Sequence, residues 1–142
     1  MKVLMHPHPR ELNNSSNGIA QVIENYARHL PQYDIELVMP DQEYDVVAVH
    51  AGMKAGPRPG PMVSHNHGIY WTGDRTGARW EWEANKNVVD SIRHAKEVTV
   101  PSSWVAETLR RDMHLSPHVI PHGVNFDEWQ SIEYGGYVLW NK

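Results

Sequence analysis

Apolar residues occur along this chain in short unbroken runs, separated by longer stretches in which they recur at helical spacing. "KVLM" (2–5) is such a run, stopped by "HPHP", and reads as a buried strand entering a loop. The polar cluster "ELNNSSNG" ends at Gly18. Ile19, Val22, Ile23, Tyr26, Ala27 and Leu30 then follow the 3.6-residue period of an amphipathic helix, ended by Pro31. "IELVMP" (35–40) and "DVVAVH" (45–50) predict two more buried strands, joined by "DQEY", which has room for a helical turn at most. A Pro/Gly loop, "AGMKAGPRPGP", leads to a fourth strand, "MVSH" (62–65).

Beyond it, "TGDRTGAR" is polar, and "WEWEANKNVVDSIRHA" (80–95) predicts a helix with Trp82, Val88, Val89, Ile92 and Ala95 as its apolar positions. "EVTVP" (97–101) is a fifth strand. "SSWVAETLRRDM" (102–113) is a helix with Ser102 as N-cap and Val105, Leu109 and Met113 facing inward. "HVIP" (118–121) is a sixth strand, "HGVNFDEW" a loop, and "GGYVLWNK" (135–142) starts a fresh strand. Apolar strands alternating with amphipathic helices predict a Rossmann-like α/β fold, a doubly wound parallel sheet with helices on both faces. Ligands of such sheets bind beyond the carboxyl ends of the strands, where strand order reverses. A 3-2-1-4-5-6 order would make the first and fourth strands neighbours there. Their outgoing loops, "HPHPRELNNSSNG" and "HNHGIYW", would then meet in one crevice.

Composition narrows the function. The 142 residues suffice for one core. Cysteine is absent, which excludes disulfides and thiolate metal sites and fits a reducing, cytoplasmic setting. A formal charge of −4 makes no electrostatic case for nucleic acid or for an anionic membrane surface. No apolar run approaches the ~20 residues of a transmembrane segment, and "MKVLMHPHP" breaks too early for a signal peptide. The ten histidines are the feature that stands out, several of them at predicted strand ends.

Three segments carry a resemblance. "SSNGIAQVIENYARHL", "HNHGIYW" and "VTVPSSWVAETLRRDMHLSPHVIPHGVNFDEW" together resemble the N-terminal domain of retaining GT-B glycosyltransferases of family four. The third is the most specific, ending in a variant of that family's Ile-Pro-Asn-Gly-Val-Asp run, with His122 in place of Asn and Asn125 in place of Asp. The resemblance implies an acceptor-side domain over residues 1–134 and, at 135–142, the start of a second domain that holds most of the nucleotide-sugar donor. It thus implies half of an enzyme, one that moves a sugar to an acceptor hydroxyl with retention and without cofactor or metal. The competing expectation is a binding or interaction domain that keeps the fold without the chemistry. A nicotinamide-dependent oxidoreductase is a weaker third, because the first loop lacks GxGxxG.

Candidate residues follow from both lines. Gly18, with Asn17 before it, allows a sharp turn and close approach of a ligand, and the helix behind it directs free N–H groups toward a diphosphate. His67 matches the family's histidine at this strand end; a neutral imidazole there can donate to or accept from the transferred sugar. His65 points the same way in an extended segment. Ser102, His122 and Gly123 are further substrate-binding candidates at strand ends. His6 and His8 lie close enough to His65 and His67 in the expected crevice for a four-histidine metal cluster. No compact ligand motif such as HExxH supports it. Trp71, Trp80 and Trp82 suit either an acceptor platform or core cover.

Overall fold

Six parallel strands form the framework of the computed structural model, which describes residues 1–12, 18–52, 59–70 and 79–123. β1 (Lys2–His6) leads through a 3₁₀ turn (Pro9–Glu11) to α1 (Gly18–His29), and a second 3₁₀ turn (Leu30–Tyr33) precedes β2 (Glu36–Val38). β3 (Val46–His50) and β4 (Met62–His65) follow, then α2 (Arg79–His94), β5 (Glu97–Val100), α3 (Ser103–Met113) and β6 (His118–Val119). Every strand expected from the apolar runs within these residues is present, and the fold is a Rossmann-like α/β sheet. The fresh strand expected at 135–142 lies outside the described residues.

The strand order is β2-β1-β3-β4-β5-β6, which corrects the expected 3-2-1-4-5-6. β3 lies between β1 and β4, so the first and fourth strands are not neighbours. The reason is the link between β2 and β3. Val38 is level with Leu4 and Val46 with Val3, so the chain steps back by about one residue's rise, roughly 3.3 Å, while it crosses β1. Residues 39–45 manage this without a helix. The backbone amide of Lys2 donates to Asp45 Oδ2 at 2.7 Å, tying the end of the link to β1. The order still reverses once, now between β1 and β3, and ligand binding is expected at that point.

Side-chain alternation divides the sheet's two faces. Leu4, Val38, Val47, Val49 and Met62 form one aliphatic cluster, with Ala95 beyond the end of α2 packed against it. Val100 faces the same way, because its neighbour Thr99 points to the other face, where it bonds His65; Ala106 and Leu109 of α3 pack on Val100. α1 covers the opposite face with Ala20 and Ile23 fully buried, and its Tyr26 lies against His50 and His65. Trp82 does not join the core as the periodicity of α2 suggested: it is 56% exposed, and Val88 and Ile92 carry the buried stripe. A single face of α2 meets the sheet, and Trp82 falls off it.

Candidate functional site

The carboxyl ends of β1, β3 and β4 and the start of α1 surround a cavity of about 780 Å³. Gly18, His50, His67 and His122 line it, together with His6 from the end of β1 and Ala51 after β3. Gly18 and His67 therefore face one space, although β3 separates their strands. No carboxylate is among the described residues that line it; their ionisable groups are four imidazoles and the Tyr70 phenol. α1 carries no acidic residue in its first turn, which leaves its N-terminal N–H groups as a partial positive charge at the rim.

Neighbouring strand ends stack the imidazoles. His50 and His65 sit opposite each other in the β3–β4 register, and their rings lie 4.6 Å apart at 15°. His67 continues outward beside His50 at 5.3 Å, and His122, arriving after β6, lies on His67 at 5.2 Å. His50 Nδ1 and His67 Nε2 are 3.0 Å apart, and His65 Nδ1 and Thr99 Oγ1 2.7 Å apart. Burial works against a charged ring here, and each neighbouring imidazole would add repulsion. His50 is pushed down to about 2, first by burial and then by His65, His67 and His122. His65 and His67 are each held at about 4, again mainly by burial, with His122 the next cause. His50, His65 and His67 are therefore neutral at physiological pH.

One expectation about local chemistry changes. Gly18 opens α1 as a helical residue, while the left-handed glycines among the described residues are Gly60 and Gly68. A Cβ at Gly18 would meet nothing within 4 Å, so the fold does not demand glycine there. Gly52 is the position that does: a Cβ would lie 2.7 Å from backbone atoms of Asn87 and Val88, because the exit of β3 presses on α2. The four-histidine cluster, which the sequence made conceivable without a supporting motif, is not assembled. His8 caps the 3₁₀ turn, its Nδ1 accepting from the Arg10 amide at 3.2 Å. Among the described residues no three His, Asp or Glu side chains are placed to share a metal ion.

Gly18, His67 and His122 thus share the cavity. Gly123 lines an adjoining one of about 440 Å³, beside His122 and Tyr26. His65 sits beneath His50, bonded to Thr99, and lines neither cavity. Ser102 lines neither as well; its hydroxyl accepts from the Val105 amide at 3.3 Å as the cap of α3. Asn17, Trp71 and Asn125 lie outside the described residues. Trp80 is 56% exposed and meets Tyr70 in an edge-to-face pair with ring centres 4.9 Å apart. His50, 1% exposed at the centre of the stack, is the site residue that the pattern of the chain did not single out. Its signal was present, a polar residue closing the run "DVVAVH" at a strand's carboxyl end, but its importance follows from the strand order.

Residues 5–128 match the family model described as Glycosyltransferase Family 4, and that span covers most of the 142 residues. The chain belongs to this family. No curated protein and no solved structure gives a significant match. The matched span runs from within β1 past His122, so the whole imidazole stack and the start of α1 fall inside a glycosyltransferase-type domain. Among the described residues no helix is long and apolar enough to cross a membrane.

Proposed function

We propose that this domain is the acceptor-side half of a GT-B transferase that moves a sugar from a nucleoside diphosphate to an acceptor hydroxyl with retention. In that reading the bond from the anomeric carbon to the phosphate oxygen breaks and the acceptor oxygen joins the carbon on the same face. The acceptor proton leaves with the departing phosphate. The N-terminus of α1 at Gly18 offsets the growing phosphate charge, a fixed donor where charge develops. His67 orients the sugar or the acceptor, and His122 and Gly123 extend the wall toward a second Rossmann-like domain that begins near 135–142 and holds most of the donor. The reading places the protein in the cytoplasm, where sugar nucleotides are available.

One observation carries this reading: the start of α1 and His67 line the same cavity at the strand ends. That no described lining residue is a carboxylate supports it, since a carboxylate would repel a diphosphate and a substrate-assisted route needs no carboxylate base. The test is an NMR titration of the protein with UDP-, GDP- and ADP-sugars. Shift changes at the Gly18 amide and the His67 ring are expected, and changes confined to other surfaces overturn the reading. A polypeptide extended through a second α/β domain should transfer sugar, and His67→Ala should lower its kcat/KM about a hundredfold. The 142 residues alone should turn over little; appreciable transfer by them would refute the proposed division of labour between two domains.

A further inference from the structure

The contact between His50 and His67 constrains where the His67 proton sits. Both rings are neutral, so each has one N–H and one bare nitrogen, and a hydrogen bond between them needs one of each. Two arrangements satisfy His50 Nδ1 and His67 Nε2 at 3.0 Å. If His67 donates from Nε2, the only proton of His50 is on its own Nε2. That atom is buried and meets no hydrogen-bond partner among the described residues, so a donor would be stranded inside the protein. If His50 donates from Nδ1, the unmet atom at Nε2 is a bare acceptor. Buried orphan N–H groups are rarer than under-satisfied acceptors, because a stranded donor forfeits its whole hydration. The second arrangement is favoured.

We infer that His50 is the positioning residue of this site: by donating Nδ1–H to His67 Nε2 it keeps the His67 proton on Nδ1. His67 then meets its ligand as a hydrogen-bond donor to an oxygen lone pair, and not as a base. No hydrogen bond among the described residues engages His67 Nδ1, while the ring itself lines the cavity. Neighbours on every side hold His50 in this role. Tyr26 of α1 packs on its ring at 5.5 Å, His65 of β4 stacks on it, and the β3 backbone fixes its base. A donor at His67 suits a sugar hydroxyl or phosphoryl oxygen, and to that extent the ligand class rests on the glycosyl-transfer reading. The tautomer does not.

The test is nitrogen-15 NMR of the imidazoles in the 142-residue protein at pH 7.5, with amide spectra as the check of fold. Wild type should show His67 protonated at Nδ1. His50→Asn keeps a donor near the position of Nδ1 and should preserve that tautomer. His50→Leu removes the donor, and His67 should relax toward the Nε2–H form of free imidazole, with about tenfold weaker sugar-nucleotide binding. An Nε2-protonated His67 in wild type overturns the inference, as does an unchanged tautomer in a folded His50→Leu protein. Should His50→Leu fail to fold, the wild-type spectrum and His50→Asn decide alone. A correct tautomer without any response to sugar nucleotides would sink the transfer reading and leave the His50–His67 assignment standing.

Discussion

Val49 and His50 are consecutive residues of β3, withdrawn from water to the same degree, at 0% and 1% exposure. They point to opposite faces and do opposite things. Val49 joins Leu4, Val47 and Met62 in an aliphatic cluster, where burial itself is the favourable term. His50 gains little from burial. It leaves one nitrogen without a partner among the described residues, and it stays neutral only because charging it there is so costly. One strand therefore anchors the sheet on one face and spends stability on a polar site on the other. Sites that hold unmet polar groups in fixed positions have this character, and the fold supports them from the layer behind.

Acid should separate the two faces most strongly. The folded protein keeps His50 near 2 and His65 and His67 near 4, whereas unfolded histidine titrates near 6.5. Below about pH 6.5 the unfolded chain binds protons that the native one refuses, so stability is fully present above that pH and falls as pH drops. The slope is about 1.4 kcal/mol per pH unit for each of His50 and His65, with a smaller, solvent-screened share from His67. For His65 and His67 the loss levels off near pH 4, and for His50 it continues toward pH 2. Thermal melts between pH 7.5 and 4.5 measure this, and a flat profile would show that the stack tolerates charge.

Truncation of the aliphatic side should cost less and ignore pH. Leu4→Ala should lower stability by about 3 kcal/mol in denaturant unfolding, with a pH profile parallel to wild type. A changed profile would mean that the two faces are coupled through β1 and β3. Ser102→Ala should cost about 1 kcal/mol through loss of the α3 cap and leave sugar-nucleotide binding as it was. Weakened binding would give Ser102 a ligand role beside its cap. Gly18→Ala should have the smallest effect on folding, under about 1 kcal/mol and toward greater stability, since the position is helical and a Cβ finds open space. If a diphosphate approaches the start of α1 closely, the same variant should bind sugar nucleotides more weakly. Calorimetry of both properties separates the two.

Local patterning was enough for the elements. Short apolar runs such as "VLM" and "VVAV" became the middles of β1 and β3, because a strand buried on both faces has no polar positions to alternate with. The 3.6-residue period marked all three helices, and Ser102 caps α3 as its place before the apolar period required. The histidine at position 67 was also visible, through its place after an apolar run and its likeness to a family pattern. Trp82 was left open between acceptor platform and core cover, since periodicity identifies an apolar stripe without saying which of its members the sheet reaches.

Strand order is another matter, and the centre of the site depends on it. Seven residues between β2 and β3 look too few for a crossover, and only the register shows that they need to retreat by a single residue while passing β1. That passage sets β3 between β1 and β4, and so sets His50 under His67. The spacing of residues along a chain encodes periodicity, caps and turns, because those are interactions among neighbours a few positions apart. The meeting of positions 18, 50, 67 and 122 is a sum of strand pairings, each specified by the packing of the whole sheet, and it came into view with the assembled fold.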